Sequence, residues 1–255
     1  MKVIEYGTNN SETIVLLHGG GLSYWNYLDV AELLKDKYHV ILPILDGHAG
    51  SNSDFVSIEQ TADKIISYID DSCGGKVSIL GGLSLGAQIV VDIISKRKDI
   101  ADYLIIESAA LIPDKLTHAL IKPSVCSSYW LIRKKWFAKL QFKSLHLRKD
   151  LFDKYFETTS KISKKDYITF LLANTSYELK EEISECKIKT RIIVGGKENK
   201  KIKKSGVLLN KLLTNSTFEI KDGLYHGEYS INHPEQYVKE LLNALISKES
   251  EEKKL

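Results

Sequence analysis

The chain has 255 residues, 36 lysines and arginines against 33 aspartates and glutamates, a net charge of +3 and 43% hydrophobic residues. That is enough for one large core, and so even a charge balance gives no reason to expect nucleic acid or a membrane surface as partner. The three cysteines, Cys73, Cys126 and Cys186, are odd in number and widely spaced, which excludes a disulfide framework and a cysteine metal site and points to a reducing, cytoplasmic setting. Met1 to Glu12 is polar, and no segment approaches ~18 uninterrupted apolar residues, so a soluble protein with no stable membrane insertion is expected.

Val3 to Tyr6 and Thr13 to Leu17 read as strands, and the turn formers Gly7 to Ser11 between them predict an antiparallel hairpin at a sheet edge. The second strand runs into His18-Gly19-Gly20-Gly21, a loop whose glycines let backbone amides approach a ligand. Trp25 to Lys35 carries apolar residues at helical spacing, and Tyr38 to Leu42 follows as a buried strand, completing a β-α-β unit. After the loop Asp46-Gly47-His48-Ala49-Gly50, Ser57 and Gln60 form a capping box ahead of a helix whose stripe is Ile58, Ala62, Ile65, Ile66 and Ile69. Cys73-Gly74-Gly75 then returns the chain to a strand at Lys76 to Leu80. A helix from Leu85 to about Arg97 and a strand at Tyr103 to Ile106 follow. Strands alternating with helices predict a mostly parallel sheet of the α/β class.

From Leu111 to Glu182 that alternation stops, and the chain is helical and aromatic, with Trp130, Trp136, Tyr155, Tyr167 and Phe170 among its rings. We read residues 111–182 as a helical cap inserted in a core made of 1–110 and 183–247. Between Ala110 and Asp150 nine lysines and arginines face two acids, a pattern that either attracts an anionic substrate or, as on most helices, solvates an outer face. The core resumes with strands at Arg191 to Val194 and Thr217 to Ile220 and helices at Lys201 to Leu213 and Pro234 to Ser247; residues 248–255 form a charged tail.

Chemistry concentrates at Gly82-Leu83-Ser84-Leu85-Gly86, a G-x-S-x-G between a strand and a helix. Such a tight turn holds its serine in a strained conformation at a helix N-terminus, and the glycines are needed where a Cβ would collide with neighbouring backbone.

With His18-Gly19-Gly20 upstream and Gly223-Leu224-Tyr225-His226-Gly227 downstream, the chain resembles the α/β-hydrolase superfamily from about Val3 to Ser247. The resemblance implies the α/β-hydrolase fold, a cap after the sixth core strand, and a triad in the order serine, acid, histidine. It makes Ser84 the nucleophile and His226 its base. His39, His118, His146 and His233 fall outside the expected loops, while His18 and His48 are assigned structural roles. Glu198 stands where the superfamily usually has aspartate; Glu107 is a rival acid and Asp222 a weaker one. The oxyanion hole falls to the amides of Leu85 and Gly20, with Gly21 as the alternative. Trp25 and Trp130 are candidates for the substrate pocket. The implied activity is hydrolysis of small-molecule carboxylic esters with short to medium acyl chains, with no cofactor or metal. Thioester or carbon–carbon bond hydrolysis by the same triad, or a slow ligand receptor, are the alternatives.

Overall fold

A computed structural model describes residues 1–252. Among them seven strands form one sheet: β1 (Lys2–Tyr6), β2 (Thr13–Leu17), β3 (His39–Ile44), β4 (Val77–Leu83), β5 (Ala101–Glu107), β6 (Lys189–Gly195) and β7 (Ser216–Lys221). Their order is β1-β3-β2-β4-β5-β6-β7, with β1 antiparallel to β3 and every other pair parallel. The expected hairpin of β1 and β2 is absent. The crossover through α1 (Leu28–Leu34) lays β3 along one edge of β2, and β4 takes the other, so β1 can pair only with the outer edge of β3. The turn at Gly7 is tucked against the end of α1, where an added Cβ would lie 2.3 Å from the carbonyl oxygens of Lys35 and Tyr38.

Side chains alternate across the strands and meet helices on both faces. Val15, Ile41, Leu80, Leu104 and Ile106 pack with α2 (Ile58–Ser72) and α3 (Leu85–Lys96), whereas Ile14, Val40, Ile79 and Ile105 pack on the opposite face with α1 and the last helix. Ser57 Oγ accepts the Gln60 amide at 3.1 Å and starts α2, whose buried face is Ile58, Thr61, Ala62, Ile65 and Ile69. α3 is buried from Leu85 to Ser95 between the sheet, α2 and the 3₁₀ turn Glu181–Glu185, which comes after the helical segment that follows β5.

That segment consists of α4 (Lys115–Ser128), α5 (Lys135–Ser144), α6 (Phe152–Thr159) and α7 (Lys164–Ser176), with a short 3₁₀ turn on either side of α5. It follows the fifth strand of this chain. The expected sixth place holds only for a sheet that opens with one strand more than this one. Gln88 of α3 ties both ends of the segment to the core: its Nε2 donates to the carbonyls of Ala110 and Asn174, and its Oε1 accepts from Asn174 Nδ2 at 2.8 Å. The chain then forms α8 (Lys200–Leu212), α9 (Glu228–Asn232) and α10 (Pro234–Glu252). α10 takes in the start of the expected charged tail, and residues 253–255 lie outside the described residues. No described helix is long and apolar enough to cross a membrane.

Candidate active site

β4 ends in a turn that places Ser84 at φ 53° and ψ −111°, a conformation non-glycine residues rarely adopt. The turn is held by the Ser84 amide on the Glu107 carbonyl at 2.9 Å and by the Gln88 amide on the Ser84 carbonyl at 3.0 Å. Both flanking glycines are dictated by space: a Cβ on Gly82 would lie 2.4 Å from the Gly86 carbonyl carbon, and one on Gly86 2.1 Å from the Leu17 oxygen. The amide of Leu85 is thereby presented in the first turn of α3, where helical N–H groups have no intrahelical partner.

Opposite the turn stands the loop after β2, fixed by two buried histidines. His18 donates Nδ1–H to the Gly19 carbonyl at 2.9 Å and accepts the Leu45 amide on Nε2 at 3.1 Å; burial pushes its pKa down to about 3. His48 donates to the Asp46 carbonyl and accepts the Gly21 amide at 3.0 Å, and burial lowers its pKa to about 4. Both rings therefore stay neutral and act as braces. The braces separate the loop amides. Gly19 N–H is engaged by Asn26 Oδ1 at 3.1 Å and Gly21 N–H by His48, while among the described residues the Gly20 amide has no partner. A Cβ on Gly20 would come within 3.5 Å of Leu85 Cβ, so the Gly20 and Leu85 backbones approach each other beside Ser84.

His226 follows β7 on a loop drawn onto the turn by Gly227, whose φ of 71° favours glycine and where a Cβ would press on Leu83 Cδ2 at 2.9 Å. The imidazole donates Nδ1–H to Glu198 Oε2 at 2.6 Å. Glu198 is buried in the loop after β6, where its Oε1 accepts the Gly195 amide and the Ser108 hydroxyl, each at 2.7 Å. Burial alone would raise the Glu198 pKa, but the bond and charge of His226, with Ser108 and Gly195, hold it below the usual carboxylate value. Packing around His226 would by itself lower its pKa. However, 44% of the side chain remains exposed, and the bond to Glu198 with the charges of Glu198 and Glu107 raises it above 6.5.

The rival carboxylates lie elsewhere. Glu107 is 1% exposed and points into the opposite layer, where its Oε1 accepts the Ser230 amide at 3.4 Å and its Oε2 has no partner. Burial pushes its pKa up to about 7. Asp222 is exposed and makes no bond to His226. Ser108, at φ 57°, was not anticipated: it pins Glu198 from the end of β5, and a positive φ at a serine leaves no mark in a sequence.

Ser84 and His226 both border a cavity of about 230 Å³. Its floor is Gly19 to Leu22, Leu83 and Ile231, and its roof comes from the segment after β5: Gln141, Ser144, Leu145, Leu147, Tyr155, Thr159 and Tyr167. The Thr159 hydroxyl donates to the Gly21 carbonyl at 3.0 Å, fastening roof to floor. Neither tryptophan expected in the pocket borders it. Trp25 is 2% exposed and turned into the core, its Nε1 donating to Thr158 Oγ1 at 3.1 Å; Trp130 is 59% exposed on the outer surface. The cavity's aromatic wall is Tyr155 and Tyr167. Among the described residues no group of three His, Cys, Asp or Glu side chains is placed to hold a metal ion.

A mostly parallel sheet carrying a serine on a strained strand-to-helix turn defines a class of α/β enzymes. The chain belongs to the alpha/beta hydrolase family, whose model matches residues 14–175. No curated protein matches it in sequence. Among solved structures it is similar to an esterase from Thermogutta terrifontis (17% identity, 96% of this chain and 93% of that one, TM-score 0.79). It is also similar to an enol-lactonase from Burkholderia xenovorans LB400 (15%, 96% of each chain, 0.74) and to a bromoperoxidase from Bacillus anthracis (18%, 95% and 94%, 0.79). At these identities the likeness establishes the fold alone, across three differently named activities.

Proposed function

We propose that the protein is a serine hydrolase of small carboxylic esters working through an acyl-enzyme, with residues 111–182 as a cap over a core of 1–110 and 183–247. The observation that carries the reading is one cavity bordered both by Ser84 and by His226, whose Nδ1 is bonded to a buried carboxylate. In this reading His226 Nε2 takes the Ser84 proton as Oγ attacks the ester carbonyl, and the amides of Gly20 and Leu85 hold the oxyanion. The imidazolium then protonates the departing alkoxide, and water, deprotonated by His226, releases the acid. Glu198 stabilises the imidazolium and selects the tautomer with hydrogen on Nδ1. The esterase and enol-lactonase likenesses lean the same way. The free cysteines, Cys73, Cys126 and Cys186, suit the cytoplasmic setting we infer.

Ser84 and His226 border two cavities, of about 230 and about 290 Å³; we take the first, under the roof, as the acyl side, and its volume below the roughly 300–1,000 Å³ of common ligand pockets favours short acyl groups. Across a series of p-nitrophenyl esters, kcat/KM is expected to peak at acetate or butyrate and to fall about tenfold or more by octanoate. A flat or rising profile would contradict the cap reading, and faster turnover of matched acyl thioesters would move the assignment to that class.

The pH dependence has a definite sign. His226 must be neutral to accept the proton, and its pKa is raised by Glu198, so kcat/KM should climb with pH along an acid limb whose midpoint lies above pH 6.5. A midpoint below 6.5 would mean that the Glu198 bond does not persist in solution.

A further inference from the structure

Half of the large apolar side chains that the core leaves exposed lie in one short stretch: Leu116, Leu120, Trp130, Trp136 and Leu140, against five in the rest of the described chain. Scattered exposed leucines need no explanation, but this concentration does. On α5 the arrangement is regular. Trp136 and Leu140, four residues apart, form one exposed row, and Lys135, Lys139 and Lys143 form the row beside it. Ala138 and Phe142 face the core, and Gln141 and Ser144 border the catalytic cavity. Trp130 stands in the turn joining α4 to α5, and Leu116 and Leu120 are one turn apart on α4.

The charge around these side chains is one-sided. Residues 110–150 hold nine lysines and arginines and two acids, a concentration that the whole chain's +3 conceals. Among the described residues Lys122, Arg133, Lys134, Lys139 and Lys143 have no carboxylate partner, and the one carboxylate paired with Lys135 is the exposed Asp153 at 3.3 Å; Lys135 and Lys139 also lie over the Phe152 ring. Tryptophan and leucine beside a row of lysines is the pattern of a helix lying in a lipid headgroup layer, the rings and leucines entering the acyl boundary and the ammonium groups staying with phosphates. A second copy of the chain is a poor occupant, because two such faces would bring like charges together.

We propose that the exposed face of α5, with Trp130 in the turn before it, docks reversibly on an anionic phospholipid surface, so that α5 serves as both docking helix and roof of the catalytic cavity. The intact protein is mixed with vesicles of phosphatidylcholine alone and of phosphatidylcholine with phosphatidylglycerol, and followed by co-sedimentation and tryptophan emission. Of the three tryptophans Trp25 is buried, so a blue shift reports on Trp130 and Trp136. Partition onto the phosphatidylglycerol vesicles with a blue shift is expected, with release at high salt. Lys135→Gln/Lys139→Gln/Lys143→Gln should weaken partition on the order of 100-fold. Trp136→Ala/Leu140→Ala should weaken it and diminish the shift. Both variants should keep wild-type activity on p-nitrophenyl acetate in solution, and Ser84→Ala should bind vesicles normally, so docking and catalysis fail separately. No partition onto phosphatidylglycerol vesicles, equal partition onto phosphatidylcholine, or vesicle-independent self-association removed by the same substitutions would each overturn the proposal.

Discussion

Glu198→Gln is expected to lower kcat about 10²- to 10⁴-fold, while Glu107→Gln stays within about tenfold of wild type. Glu198 accepts three hydrogen bonds, from His226, Ser108 and the Gly195 amide. A glutamine offers one oxygen, which Ser108 and Gly195 would claim, leaving its NH₂ opposite His226 Nδ1. The imidazole would then have to accept on Nδ1 and carry its hydrogen on Nε2, toward Ser84, where a base is required. Loss of the charge also lowers the His226 pKa, so the acid limb of the pH profile should move to lower pH in the residual activity. Glu107 differs: burial favours its neutral form, one oxygen has no partner, and a glutamine of equal shape disturbs little. A folded Glu107→Gln protein losing a thousandfold, beside a nearly unaffected Glu198→Gln, would exchange the two roles.

What could be read from the sequence was what depends on local spacing. The parallel α/β sheet and the Ser57 cap follow from periodicity and short motifs, and so does the serine turn, whose glycines are forced by backbone contacts within a few residues or with the adjacent strand. Pairing partners were not legible: β1 and β2 look like a hairpin because the turn between them is a good turn, yet β3 takes the edge that a hairpin would need. Nor was the reason for preferring Gly20 to Gly21. It rests on His48, 27 residues beyond Gly21, reaching back to accept one amide and leave the other. The tryptophans misled for a related reason. Ring size in a sequence does not say whether a side chain faces inward, as Trp25 does, or outward, as Trp130 does, and the cavity wall instead went to Tyr155 and Tyr167.

Ser84→Ala is expected to reduce ester kcat/KM by roughly 10⁴- to 10⁶-fold, leaving only the residual catalysis that an intact oxyanion hole and binding provide. Alanine keeps the Cβ that the φ 53° turn already tolerates, so the variant should fold, and Gly20 and Leu85 should stay in place. The most direct measurement is covalent: the wild-type protein is treated with a fluorophosphonate and its intact mass and peptides are analysed. One adduct, on Ser84 and missing from Ser84→Ala, is the result this account predicts. An adduct on another residue, or undiminished ester turnover by the alanine variant, would contradict it.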